Sequence, residues 1–223
     1  MPKHLERELE RLQRGLLSLS AVVEEAVRNA VRGLENRDAR LANEVIETDM
    51  EIDQAEVDLE EECLKILALY QPVAIDLRLI VAVLKINSDL ERIGDLAVNI
   101  AERAVFLAGQ GEVQTAFDFD GMARKAQEMV RKALDSLVNQ DASLAREVLA
   151  MDDEVDAMNR RMYDQVRDGI RQHPDQLEAL THVLSASRHL ERIADHATNI
   201  AEDVVYMVEG EIIRHRAESY RRP

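Results

Sequence analysis

The sequence predicts an all-α protein made of two tandem, sequence-related three-helix bundles. Three observations predict it. Helix breakers are scarce, with 8 Gly and 4 Pro in 223 residues. Apolar residues recur at heptad spacing inside long charged segments. One pattern of about a hundred residues occurs twice. The 46% apolar content is enough to bury a core, and the chain is rich in the residues that favour helix over strand.

The breaks in the chain define six helices, near 3–36, 38–70, 73–108, 119–139, 141–171 and 174–209. Asp38 is the expected N-cap of the second helix, and Asn139-Gln140-Asp141 repeats that junction before the fifth. Pro72 and Pro174 each end the preceding helix, because proline disfavours helical backbone in the residue before it. Gly109-Gln110-Gly111 ends the third helix, and the segment Phe117 to Gly121 restarts the chain. The repeats are therefore expected at 1–112 and 113–223.

Heptad spacing supplies the packing. Val45, Ile52, Leu59 and Ile66 recur every seven residues in the second helix, and Ala55 and Cys63 fill the alternate positions, which places Cys63 in the core. In the third helix Ile86, Leu90, Ile93, Ala97, Ile100, Ala104 and Leu107 alternate steps of four and three, and Val183 to Met207 do the same in the sixth. Such seams belong to helices packed at shallow angles. The two halves also match residue by residue: Leu41-Ala42-Asn43-Glu44 with Leu144-Ala145-Arg146-Glu147, and Leu90-Glu91-Arg92-Ile93-Gly94-Asp95 with Leu190-Glu191-Arg192-Ile193-Ala194-Asp195.

The net charge of -16 repels phosphate backbones and argues against nucleic acid or an anionic membrane as a direct partner. It favours cations or basic partner surfaces. Cys63 is the single cysteine, so no internal disulfide can form and a reducing compartment is expected. No apolar run reaches the length of a membrane span, and the charged segment from Met1 to Arg14 holds no signal-peptide core. These features point to the cytoplasm.

The chemistry-bearing constellation is Glu91-x-x-x-Asp95 followed by Asn99, with its copy Glu191-x-x-x-Asp195 followed by Asn199. Residues four apart stack on one helical face, so each set forms a polar stripe beside the apolar seam. Carboxylates with an amide suit hard or borderline cations such as Mg, Mn, Fe or Zn. A solvated acidic face, helped by Arg92 and Arg192, is the competing reading. A second set is Asp49-x-x-x-Asp53 with Asp152-x-x-x-Asp156, and residues 41–62 hold ten acids with no Lys or Arg. On the residues alone this second set reads as solvated surface. His189 and His196 flank the second stripe and are expected on the helix surface. Phosphate-cradling Gly-rich loops, a G-x-S-x-G elbow and the Glu-x-x-His of ferritin-like bundles are all absent.

The run Gln71-Pro72-Val73-Ala74-Ile75-Asp76-Leu77-Arg78, then Leu90 to Asp95 and Asn99-Ile100-Ala101-Glu102, resembles the PhoU family, as does the second copy through Glu191, Arg192, Asp195 and Asn199. The likeness covers essentially the whole chain. It implies a cytoplasmic, non-enzymatic negative regulator with two three-helix bundles. Such a regulator acts with the ATPase subunit of a phosphate ABC transporter and a phosphate-sensing histidine kinase to repress the phosphate-starvation response. It also implies divalent or trivalent metal ions (Fe, Zn, Mn or Mg) on the E/D-x-x-x-D motifs. By matching, Glu91, Asp95, Glu191 and Asp195 are the first ligands, joined by Asn99, Asn199, Asp49, Asp53, Asp152 and Asp156. Leu96 stands where the family pattern often has His, which implies a first site loaded differently from the second. A homodimer is expected because paired bundles commonly dimerise. The alternative is a metal-dependent carboxylate-bundle enzyme or a metal-storage protein.

Overall fold

The computed structural model describes residues 3–111 and 117–213. Its order is α1 (Lys3–Asn36), α2 (Ala39–Tyr70), α3 (Ala74–Ala108), α4 (Phe119–Asn139), α5 (Ala142–Gln172), a 3-10 turn (Pro174–Gln176) and α6 (Leu177–Glu209). The described residues contain no strand. The division expected between 112 and 113 falls outside the described residues.

The expected caps form. The Asp38 carboxylate accepts from the Leu41 N–H at 3.1 Å. Asp141 accepts from Ser143 and Leu144 at 2.9 and 3.0 Å. Each cap follows a non-glycine residue in the left-handed region, Arg37 at φ 53° and Gln140 at φ 52°. The two junctions are thus the same motif used twice. The sixth helix starts later than expected, at Leu177 rather than 174, because Pro174 opens a separate 3-10 turn in which the Gln176 N–H donates to the His173 carbonyl at 3.0 Å.

Within the first bundle α1, α2 and α3 pack on one another; within the second, α4, α5 and α6 do. The bundles meet through α3 against α6 and α1 against α4. Ile80, Ile86, Leu90 and Ile100 of α3, with Leu180, Leu190, Ile193 and Ile200 of α6, are fully buried in one continuous core. Cys63 is buried as expected, and desolvation pushes its thiol up to about 12.

The α3–α6 pair is antiparallel and fastened at both ends. Arg78, at the start of α3, donates to the Met207 carbonyl near the end of α6 at 2.9 Å. Phe106, at the end of α3, stacks on His182, near the start of α6, with ring centroids 3.7 Å apart. Between them Lys85 pairs with Asp203 at 2.9 Å. The outer junction is held as well: the Asp120 N–H donates to Glu35 at 2.8 Å, and Gln127 donates to the Glu24 carbonyl at 2.9 Å.

Candidate metal centre

The hairpin of α2 and α3 brings the two acidic stripes of the first bundle together. Glu91 feels the negative charges of Asp95, Asp53 and Glu56. Asp49 feels Asp53 and Asp95. The hairpin of α5 and α6 repeats the arrangement, with Glu191 facing Asp195, Asp156 and Asp152, and Asp195 facing Asp156. All eight carboxylates singled out from the sequence therefore fall on two equivalent faces. One sits in each bundle, on the central helices α3 and α6 and their hairpin partners.

Electrostatics on both faces runs against the ionised form. Partial burial raises Glu91, Asp95, Asp49, Glu191 and Asp195 above the ordinary carboxylate range, and neighbouring carboxylates raise them further. Arg92 and Arg192 oppose that rise only in part, as the last influence on Glu91 in one case and on Asp195 in the other. Asp49 Oδ1 is shielded from solvent and makes no hydrogen bond among the described residues. Oxygen donors, unbalanced negative charge and one orphaned carboxylate oxygen fit a hard polyvalent cation in kind. Among the described residues, however, no three of these groups are drawn tightly enough together to hold an ion as they stand. Loading would require the side chains to swing inward.

The amides behave differently. Asn99 uses its side-chain N–H₂ on the Asp95 carbonyl, 2.7 Å away in its own helix. Asn199 points its N–H₂ across the bundle interface toward Asp89 of α3, at 3.5 Å. Asp89 is also the partner of His196, whose Nδ1 lies 2.8 Å from the carboxylate. The expectation that His196 is a surface residue is thus overturned: it is 8% exposed and closes the α3–α6 interface. A comparison of the repeats could not show this, because the pair joins a residue of one repeat to a residue at a different position in the other. His189 is half-buried rather than exposed, beside Ser185 at 3.2 Å, and desolvation lowers it to about 4.

Sequence reasoning also passed over Glu56. Its carboxylate adds to the charge on Glu91, burial raises its own pKa, and Glu60 and Asp53 raise it further. Its backbone carbonyl accepts from the buried Asn87 at 2.8 Å, which locks α2 against α3 at this level. The signal was available: Glu56 lies seven residues after Asp49, on the same helical face. The corresponding position of the second repeat is Asn159, which accepts from Ser187 at 2.9 Å.

The PhoU domain model matches this chain twice, over residues 16–104 and 119–204. The chain belongs to the PhoU family. The two matches coincide with the two bundles, each ending within a helix that carries a Glu-x-x-x-Asp stripe. A phosphate-specific transport system accessory protein PhoU homolog of Aquifex aeolicus is 40% identical over 210 residues, covering 94% of this chain and 95% of that one. The homolog of Pseudomonas aeruginosa is 40% identical over 209 residues, covering 93% and 86%. The crystal structure of PhoU from Pseudomonas aeruginosa superimposes with a TM-score of 0.88 at 39% identity, over 92% of this chain and 99% of that one. That of the phosphate transport system regulatory protein PhoU from Streptococcus pneumoniae gives 0.83 at 30% identity, over 93% and 98%. PhoU membership accounts for the all-α architecture and the internal duplication. No helix among the described residues is long and apolar enough to cross a membrane.

Proposed function

We propose that this chain is a cytoplasmic accessory regulator of phosphate transport, holding down phosphate uptake and the phosphate-starvation response when phosphate is plentiful. It acts by protein contacts, as a homodimer of chains that each carry two repeats, 1–112 and 113–223. Its partners are the ATPase subunit of a phosphate ABC transporter and a phosphate-sensing histidine kinase. Through them it is peripheral to a membrane complex, and it binds no nucleic acid. The observation that carries this reading is family membership over nearly the full chain, at up to 40% identity with phosphate-specific transport system accessory proteins. The acidic surface and net charge of -16 support protein and cation partners over nucleic acid.

Cations belong to the proposal. Glu91, Asp95, Asp49 and Asp53 would hold one load, Glu191, Asp195, Asp152 and Asp156 the other, with Asn99 and Asn199 beside them. Divalent or trivalent Fe, Zn, Mn or Mg would supply positive charge to groups that now repel one another. The chain's own part is to hold each set of carboxylates on two packed helices and to exclude some of the water around them. An enzymatic or metal-storage role has less support: there is no Glu-x-x-His, and Cys63 is a buried thiol raised far from ionisation. Deleting the gene is expected to derepress phosphate-starvation genes in phosphate-replete cells, read as alkaline phosphatase reporter activity. Full repression in the deletion strain would refute the regulatory role.

A further inference from the structure

Among the described residues α2 packs against α1 and α3 only, which leaves its third face uncovered. That face is not uniformly polar. Met50, Val57 and Leu64 lie on it, seven residues apart, and are 79%, 45% and 53% exposed. Single exposed apolar side chains are ordinary, but three in heptad register on one helix form a seam of the kind a second helix covers. The seam runs about 21 Å, roughly four helical turns. Its borders are acidic: Glu47, Glu60 and Glu61 are exposed beside it, and no Lys or Arg pairs with them among the described residues. Lys65, beside the seam, is already paired with Glu62 at 3.1 Å. At the Leu64 end, Asp58, Glu61, Glu62, Leu64 and Lys65 line an open depression of about 550 Å³.

The second bundle lacks this feature. The residues corresponding to Met50, Val57 and Leu64 are Asp153, Arg160 and Arg167, and Arg160 is held by Asp156 at 3.3 Å. The seam is therefore no by-product of the duplicated bundle fold.

We propose that the outward face of α2 is a docking surface for a basic amphipathic helix of a partner protein. The seam would take apolar side chains at heptad spacing, and the acidic borders would take Lys or Arg on either side. Charge selects this occupant over a second copy of the chain: two α2 faces would set the exposed Glu47, Glu60 and Glu61 of one copy against the same residues of the other. The proposal goes beyond the phosphate-regulator reading and does not depend on the cation sites.

The test uses the full chain and a synthetic helical peptide of about three heptads, with Leu at a and d and Lys at e and g, beside a version with Glu at e and g. Binding is read by fluorescence anisotropy and self-association by sedimentation velocity. The variant Met50→Gln/Val57→Gln/Leu64→Gln keeps the net charge and changes only exposed side chains, so circular dichroism should match wild type. The Lys peptide is expected to bind wild type, to bind the triple variant at least roughly tenfold more weakly, and to outcompete the Glu peptide. Metal content is expected to be the same in both proteins. Equal affinity for wild type and variant would reduce the attraction to bulk charge and overturn the proposal, as would failure of the Lys peptide to bind wild type. A wild-type dimer that the triple variant abolishes would assign the seam to a second copy and overturn it too.

Discussion

Gly94 of α3 lies directly beneath Ile52 of α2: a Cβ on Gly94 would stand 3.1 Å from both Ile52 Cδ1 and Cγ2. The contact sits between the two acidic stripes, since Ile52 precedes Asp53 and Gly94 precedes Asp95. It thereby sets how closely the carboxylate-bearing helices approach. The second bundle solves the same problem with volumes exchanged, placing Val155 and Ala194 where the first has Ile52 and Gly94.

This exchange predicts a coupled pair. Gly94→Ala gains about 1 kcal/mol of helix propensity but crowds Ile52 at a cost of about 1–3 kcal/mol. Alone it is expected to be neutral or destabilising. In an Ile52→Val background the Cδ1 contact is gone while the Cγ2 contact stays, so the same change should be more favourable than in wild type by about 1 kcal/mol. Urea midpoints of the four proteins give the coupling directly, and additive effects would rule it out.

Metal content separates the two faces. Glu191→Gln/Asp195→Asn is expected to lose the cation load of the second bundle and keep that of the first; elemental analysis after dialysis reads it. Glu56→Gln should weaken only the first load. Chelator should lower the melting temperature of wild type, because a ligand that binds the folded state stabilises it by mass action. Identical metal content in all three proteins, with no chelator effect, would leave both faces as solvated surface.

The raised carboxylates also fix the sign of a pH effect in metal-free protein. A folded-state pKa above the unfolded value means the folded state binds more protons in the window between them. Stability is therefore lost as pH rises through that window, upward from about 4. Asp49→Asn/Glu91→Gln/Asp95→Asn removes this penalty, so at pH 7.5 the variant should melt above wild type. The margin should shrink as pH falls toward 4.5. His182 and His189 are lowered by burial and destabilise both proteins alike as pH falls below about 6.5, so they cancel in the difference. A margin independent of pH would contradict the assignment.

The Asp89–His196 contact predicts asymmetry of a different kind. His196→Ala leaves a nearly buried carboxylate without its main partner and should cost about 3 kcal/mol in urea unfolding. Asp89→Leu with His196→Leu should recover most of that, because apolar groups of similar volume can replace a buried pair. A double variant no better than the single one would show that the pair does more than fill the interface.

Much of this molecule was legible in one dimension. Heptad spacing located the seams of α2, α3 and α6, and Asp38 and Asp141 marked two helix starts, because each signal is local to a few turns. The carboxylate faces were legible because duplication printed them twice. What escaped was what lies between repeats. The Asp89–His196 contact joins non-equivalent positions 107 residues apart, and neither heptad nor repeat logic connects them. Glu56 escaped because attention to the four-residue stripe overlooked the next turn of the same face. The late start of α6 reflects the choice between 3-10 and α hydrogen bonding after Pro174, which depends on packing more than on residue type.

The fastening of α3 to α6 at both ends carries a consequence for how the molecule could report its state. With Arg78 tied to Met207 and Phe106 stacked on His182, α3 and α6 are held to each other near both ends. Adding or removing positive ions on either face would then rewrite the electric potential over a nearly fixed shape. A partner would sense this as attraction or repulsion during approach, and association would speed or slow with ionic strength while the contact surface stayed the same.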